Sequence, residues 1–332
     1  MENTVVIISP DAVKRQLAGL IISRLLVRCK LEILGAQLVN LTAQDAGKIA
    51  EAIPEVANFD QLDSAPAMFC LFSGRNAIAS VDRAINDTVL LPAANLAAVG
   101  SSKEAMQAVS AIARRNNLLK TVPAAGKERT LLIIKPENFR APSCRPGMII
   151  DMLMSLNLEW VGCKVHSMTV NDALEFYGPV RQVLRSKLME KIGSKALSMV
   201  EKEFDFKLSA SSAETLIETV GNGFADSQFE DIVEFRSGKR PSDVPESDRN
   251  NPGGAKCMVL IFDGKNAVSK IRTILGPTNP AQATGGTVRY DFGTNIMVNA
   301  AHASDSIESY ERESKIVRVE ENTFSDIAAN LA

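Results

Sequence analysis

The stretch Thr4-Val5-Val6-Ile7-Ile8-Ser9-Pro10-Asp11 recurs as Thr130-Leu131-Leu132-Ile133-Ile134-Lys135-Pro136-Glu137, and this recurrence decides how the whole chain is read. Each stretch is a short apolar run closed by a proline-containing turn, the pattern of a buried strand entering a loop. Further matches follow in the same order. Leu31-Glu32-Ile33-Leu34-Gly35-Ala36 pairs with Leu158-Glu159-Trp160-Val161-Gly162-Cys163, and Thr42-Ala43-Gln44-Asp45-Ala46 with Thr169-Val170-Asn171-Asp172-Ala173. Gly74-Arg75-Asn76-Ala77-Ile78 pairs with Gly264-Lys265-Asn266-Ala267-Val268, and Val99-Gly100-Ser101 with His302-Ala303-Ser304. Ordered matches over most of a chain indicate duplication of one domain. The expected division is a first copy over 1–115, a linker over 116–127 and a second copy over 128–332.

Within the first copy, Val5–Ile8 reads as a strand and Val13–Cys29 as a helix, with Leu17, Leu20, Ile21, Leu25 and Leu26 at helical spacing. Leu31–Leu41 is extended in character, Thr42 can cap a helix running to Ile53, Ala67–Phe72 is a second apolar strand, and Arg75–Ile85 is helical. The order β-α-β then α-β leaves little room for crossovers. It predicts a split βαβ, ferredoxin-like sheet rather than a doubly wound one. The second copy carries roughly 60 extra residues between Tyr177 and Cys257, an insertion expected at about 183–254. Part of it has helical spacing (Val183, Leu184, Leu188, Ile192, then Leu216, Ile217, Val220), and it ends in a polar loop through Asn251-Pro252-Gly253-Gly254. The first copy lacks the segment that holds Gly276 to Gly293 in the second.

A length of 332 residues suits about two domains, each able to bury a core. The formal net charge of −2 gives no sign of a nucleic-acid or anionic-membrane surface. The five cysteines are scattered and form no C-x-x-C pair, which argues against a disulfide framework or zinc site and fits a reducing compartment. No apolar run reaches membrane-spanning length, and the N-terminus runs directly into a strand without a basic flank or cleavage site, so a cytoplasmic protein is expected.

The chemistry concentrates at Asn299-Ala300-Ala301-His302-Ala303-Ser304-Asp305-Ser306. Only two histidines occur, and His166 reads as structural because Val39 holds its place in the first copy. His302 lies between an apolar run (Ile296-Met297-Val298) and a helix start, where Asp305 and Glu308 read as a capping box, with Glu313 about two turns further on. A neutral imidazole is a good nucleophile, and a carboxylate can fix its tautomer. The other candidates read two ways from the residues alone. Lys135 is also a plausible strand-end surface charge, Arg272 an exposed helix charge, Thr278-Asn279-Pro280 a turn and Tyr177 a core residue.

The second copy resembles the nucleoside diphosphate kinase family. The resemblance rests on Ile134-Lys135-Pro136, Gly276-Pro277-Thr278-Asn279-Pro280, Gly286-Thr287-Val288-Arg289-Tyr290-Asp291-Phe292 and the His302 stretch with Glu308-Ser309 and Glu313. It covers about residues 128–318, interrupted by the insertion, and the first copy resembles the same family more weakly. The resemblance implies a ferredoxin-like α/β sandwich (α+β) around a four-stranded antiparallel sheet, in two tandem copies. It implies transfer of the γ-phosphoryl group of ATP or another nucleoside triphosphate to a nucleoside diphosphate through a phosphohistidine. Mg²⁺ would be carried by the nucleotide phosphates, with no direct metal ligand from the protein. His302 would be the nucleophile, and Glu313 would orient its ring. Lys135, Arg272, Thr278 and Arg289 would hold phosphates, and Tyr177 would stand beside the transferred group. Asn299 would contact the sugar and phosphate end, Ile296 would pack on one base face, and Ser304 would belong to the same nucleotide site. Converging arginines and a lysine suit a reaction governed by positioning and dispersed positive charge.

Ala303 stands where the family more often has glycine, and the aromatic that stacks on the base has no clear equivalent; an ungapped alignment would put Arg185 there. Ala141-Pro142-Ser143-Cys144 lengthens the loop after Lys135 by two residues. In the first copy Ser9 replaces the lysine, Ala50 the tyrosine, Asp82 the first arginine and Val99 the histidine, so that copy is expected to be non-catalytic. Members of the family assemble from isologous dimers, so the two copies are expected to pack as a pseudo-twofold pair within the chain, with larger homo-oligomers possible. The alternative is a nucleotide-binding or scaffold protein with negligible turnover.

Overall fold

A computed structural model describes residues 1–86, 96–116 and 118–332. The short connection expected before Val99 falls largely on 87–95, outside the described residues, as does residue 117 of the expected linker. The first half runs β1 (Glu2–Ile8), α1 (Pro10–Lys14), α2 (Ala18–Arg28), β2 (Glu32–Val39), α3 (Ala43–Ala50), β3 (Ala67–Gly74), α4 (Ala77–Asn86), β4 (Ala97–Gly100) and α5 (Lys103–Arg115). The second runs β5 (Glu128–Ile134), α6 (Arg145–Met154), β6 (Glu159–Ser167), α7 (Val170–Phe176), α8 (Gly178–Glu203), α9 (Ala210–Ser237) and β7 (Lys256–Gly264). It ends with α10 (Ala267–Leu275), α11 (Val288–Phe292), β8 (Ala301–Ala303), α12 (Ile307–Ile316) and α13 (Thr323–Leu331). The chain forms two four-stranded sheets of the same topology, β2-β3-β1-β4 and β6-β7-β5-β8, in a ferredoxin-like α+β arrangement. The registers repeat: Glu2 pairs with Gly74 as Glu128 pairs with Gly264.

Local chemistry explains the repeated elements. Thr42 with Asp45, and Thr169 with Asp172, form full capping boxes on α3 and α7. Asn76 and Asn266 take the left-handed conformation, which asparagine tolerates, before α4 and α10. The first residue of each opening strand then reaches the following helix start: Ile78 N–H donates to Glu2 at 3.3 Å and Val268 N–H to Glu128 at 3.2 Å. The single helix expected over Val13–Cys29 is two helices instead. Gln16, at φ 61°, breaks the backbone between them, and helical spacing continues across the break because both pieces bury the same face.

Two compact units are present, one comprising Met1–His166 with Cys257–Ala332 and the other Ser167–Lys256. The first holds both sheets. One apolar layer runs through both copies, from Ile21, Ile22 and Leu25 on α2 to Ile149, Ile150 and Leu153 on α6. Helices α2 and α6 meet at Gly19 and Gly147, where a Cβ on either would overlap the carbonyl oxygen of the other. Ser23 donates to the Cys144 carbonyl at 2.9 Å and Gln16 to the Met154 carbonyl at 3.1 Å. The opposite face of the first sheet has its own core, which takes in Phe324 and Ala328 of α13. Phe324 lies 6.0 Å from Phe69 between ring centres, Ser110 donates to the Ser325 carbonyl at 2.8 Å, and Arg114 pairs with Asp326 at 2.7 Å.

The second unit is built on the antiparallel pair α8 and α9. They approach closely at Gly193 and Gly221, where an added Cβ would strike the backbone of Ile217 and Met189. Phe176, Tyr177, Ala225, Phe229 and Val233 are buried there. Among the described residues no helix is long and apolar enough to cross a membrane.

Candidate active site

Strand β8 carries His302 and is locked to β5, with His302 opposite Ile133 and Ala303 opposite Leu132. Helix α12 follows, and its N-cap is Ser306, whose hydroxyl accepts from Ser309 N–H at 3.1 Å. The cap expected at Asp305 therefore falls one residue later, at Ser306, and it is a single side-chain cap rather than the expected box with Glu308. Asp305 instead accepts from the Ser309 hydroxyl at 2.5 Å, which holds its carboxyl below the usual range, aided by the Arg272 charge. Placing the helix start at Ser306 brings Glu313 round to face the strand. Its Oε2 lies 3.0 Å from His302 Nε2 and accepts from the buried Ser304 hydroxyl at 2.8 Å, while Arg312 donates to Oε1 at 3.3 Å.

This geometry assigns the histidine's protons. A carboxylate accepts hydrogen bonds and does not donate, so Nε2 carries a proton, and in the neutral ring Nδ1 carries the lone pair. The Glu313 side chain is 5% exposed and the His302 side chain 24% exposed, so the orienting group is shielded while the ring remains accessible.

Around the ring the chain gathers cations. Lys135, buried at the end of β5, donates to Asn299 Oδ1, and Asn299 Nδ2 donates to the carbonyls of Thr278 and Ile296, both at 2.9 Å. Arg289 on α11 donates to the carbonyls of Gly276 at 2.7 Å and Ala301 at 3.3 Å, and its buried Nε has no partner. Burial, and then the charge of Arg272, push the Arg289 guanidinium down to about 10. Two mutually repelling arginines favour an anion between them, although Asp305 also feels the Arg272 charge. Arg272 on α10 is exposed, as are Thr278 and Ile296, the last at 63%. Lys135, Arg272, Thr278, Arg289, Ile296, Asn299, His302, Ser304 and Glu313 all belong to the first compact unit. Tyr177 belongs to the second, where it is buried beside Phe176 with the Arg236 guanidinium 5.4 Å from its ring centre. Arg185, in that unit too, pairs with Asp226 at 2.6 Å. Ala303 is an ordinary strand residue, and the left-handed position is Ala300 (φ 69°).

The residue that replaces the histidine in the first copy is Ala98. Val99 pairs with Val6 as Ala303 pairs with Leu132, so Ala98, opposite Ile7, stands where His302 does. The α5 cap Ser102 lies four residues after Ala98, as Ser306 lies four after His302. In a strand this short, sequence matching slides by one residue with little penalty, and only the ladder fixes it. The corrected register puts Gly100 in the place of Ser304 and the buried Val109 in that of Glu313.

Two residues close to the histidine escaped the sequence reading. Glu137 Oε1 accepts from Ala300 N–H at 3.0 Å, and Asn138 Nδ2 donates to the Ala300 carbonyl at 2.8 Å. The available signal was their position directly after Lys135-Pro136, with Asp11-Ala12 in the first copy.

The family model described as nucleoside diphosphate kinase matches residues 2–99 and 252–322, about half of the chain. A nucleoside diphosphate kinase of Methanocaldococcus jannaschii is 32% identical over 146 residues, 44% of this chain and 89% of that protein. One of Archaeoglobus fulgidus is 50% identical over 56 residues, so the chain spans 17% of itself and 37% of that relative in the match. Among solved structures, the nucleoside diphosphate kinase of Aquifex aeolicus aligns at a TM-score of 0.36 and 23% identity, covering 57% of this chain and 94% of that one. A family protein from Babesia bovis aligns at 0.35 and 20%, covering 57% and 86%. By its matched regions and the extent of its likeness to the Methanocaldococcus protein, this chain belongs to the nucleoside diphosphate kinase family.

Proposed function

We propose that the protein is a nucleoside diphosphate kinase that works by a ping-pong mechanism through phospho-His302, with turnover confined to the second copy. The observation that carries this reading is the His302–Glu313–Ser304 relay, which turns Nε2 to a buried carboxylate and so assigns the phosphoryl chemistry to Nδ1, in a site that also holds Arg289. In the first half-reaction Nδ1 forms a bond to the γ-phosphorus of ATP or another nucleoside triphosphate. The bond from that phosphorus to the bridging oxygen breaks, and a nucleoside diphosphate leaves. In the second, a terminal phosphate oxygen of an incoming diphosphate takes the phosphoryl group from Nδ1. Glu313 keeps Nε2–H in place throughout and offsets the charge gained by the ring. Arg289 and Arg272 face the spreading negative charge on the equatorial oxygens, and Lys135 is held at the same site by Asn299.

The reading assigns Thr278 to phosphate binding, Asn299 to the sugar end, Ile296 to one base face, Ser304 to the nucleotide site through Glu313 and Tyr177 to the neighbourhood of the transferred group. The donors around His302 are cationic and suit phosphate oxygens rather than a metal, so Mg²⁺ fits as an ion carried in by the nucleotide. When bound it neutralises phosphate charge. The experiment is incubation with γ-labelled ATP: an acid-labile, alkali-stable label on His302 is expected. Nucleotide binding without label would leave a scaffold protein instead.

The same reading divides the chain into a non-catalytic copy over 1–115, a linker over 116–127 and a catalytic copy over 128–332 with its insertion at about 183–254, in a cytoplasmic protein. The copies act as a pseudo-twofold pair, the first standing in for a partner subunit. The Gly19–Gly147 approach and the burial of Phe324 in the first copy support this pairing. Residues 128–332 alone should dimerise or be poorly soluble; a monomeric, fully active fragment would refute the pairing.

A further inference from the structure

The residues between Asn299 and His302 do not follow an easy backbone path. Ala300 has φ 69°, a conformation L side chains rarely adopt. Ala301 N–H donates to the Asn299 carbonyl at 2.8 Å, which closes a tight three-residue turn. Such a turn persists only where its surroundings hold it. Here the hold comes from one segment. Glu137 takes the Ala300 N–H, and Asn138 Nδ2 and Lys135 N–H both donate to the Ala300 carbonyl, at 2.8 and 3.0 Å. Asn138, 1% exposed, also donates to the Lys135 carbonyl at 3.0 Å, tying the turn to the residue that carries the site's lysine.

The first copy shows what is specific to the second. It keeps the backbone bond, from Ser9 N–H to the Leu96 carbonyl at 2.9 Å. It has Ala12, whose side chain cannot donate, in the place of Asn138, and its Asp11 carboxylate pairs with Arg15 at 3.2 Å. The side-chain hold therefore accompanies the copy that has a histidine.

We propose that Glu137 and Asn138 are positioning residues: they clamp the Asn299–Ala301 turn in its strained form and so set where the His302 ring and the Asn299 amide stand. This inference rests on the kinase reading of the site. Small displacements of reacting groups cost rate more than affinity.

The test is a cycle of Glu137→Ala, Ala300→Gly and the double variant. Glycine takes the left-handed conformation freely, so it removes the need for the clamp. Glu137→Ala should slow His302 labelling by γ-labelled ATP about tenfold or more in the wild-type background, and less than about threefold in the Ala300→Gly background, with nucleotide affinity nearly constant in both. Glu137→Gln, which keeps an acceptor oxygen, should stay within about threefold of wild type. Asn138→Asp should slow labelling without weakening nucleotide binding. Equal losses in both glycine and alanine backgrounds, or no loss in either, overturn the clamp. Should the wild-type protein take no label, the kinase reading falls, and urea unfolding of the same cycle judges the clamp alone: coupled effects support it and additive effects overturn it.

Discussion

The two sheets share strand order, register, capping boxes and the glutamate that reaches the helix after the third strand, yet one copy holds His302, Ser304 and Glu313 where the other holds Ala98, Gly100 and Val109. The sheet and its caps are duplicated, and the proposed chemistry is not. The substituted positions are filled by small or apolar residues that pack without polar partners, so the first copy loses nothing in burial by losing the site. Packing is thus separable in this fold from the histidine site. The copies meet at two glycines and a C-terminal helix, whereas the proposed site calls for a carboxylate, two arginines and a lysine around one imidazole.

The strongest way to break this comparison is at the nucleophile. His302→Ala should abolish both phosphoenzyme and turnover while leaving the unfolding transition nearly unchanged; surviving ping-pong kinetics would end the assignment. The reciprocal change, Ala98→His, should create no activity, because Ser9 and Asp82 still stand where Lys135 and Arg272 do. Detectable labelling at position 98 would show that a histidine alone suffices.

Next in size is the phosphate-binding charge. Arg289→Ala and Arg272→Ala should each lower kcat/KM by roughly 10²–10⁴, the scale of lost preorganised stabilisation. A change below about threefold at both would make them ordinary surface or structural charges.

The packing side of the comparison is sharpened at α13. Phe324→Ala removes a buried ring from the first copy's core and should cost about 3–5 kcal/mol in urea unfolding. A cost well below this range would mean that the first copy closes its core without the helix.

The smallest expected effect is a pH dependence at the junction of the copies. Asp151 on α6 is packed against Gly19 of α2. Burial raises its carboxyl to about 6, partly offset by a hydrogen bond from the Leu20 backbone. The folded protein therefore binds this proton more tightly than the unfolded chain does. Its contribution to stability is greatest below pH 4 and is lost as the pH rises to about 6. Asp151→Asn should flatten the stability profile in that window relative to wild type. An unchanged profile would show that this carboxyl titrates normally.

Much of the fold was legible because duplication and strand periodicity are written locally. Thr42 is legible as a cap from its place before a helical segment, and Thr169 is its match in the repeat; both are completed as capping boxes. The histidine stretch was legible for the same reason, since its residues are contiguous. What escaped was decided by partners far away in sequence. The one-residue slip at Val99 and the misplaced cap at Asp305 both concern short elements whose pattern fits two registers equally well. Glu137 and Asn138 look like loop residues until Ala300, more than 160 positions later, needs holding.

The sequence by itself determined that the chain is a duplicated antiparallel α+β fold, that one copy alone carries the histidine constellation, and that a long helical segment interrupts that copy. Periodicity, turn chemistry and contiguous motifs carry that information, because each depends on neighbours along the chain. The tertiary structure alone decided which ring nitrogen of His302 faces a carboxylate, since Glu313 comes from the following helix. It alone decided that Ala98 rather than Val99 is the histidine's counterpart, and that α13 completes the core of the other copy. These outcomes rest on hydrogen-bond ladders and buried surfaces between distant segments, and no local pattern encodes which distant partner a group will meet.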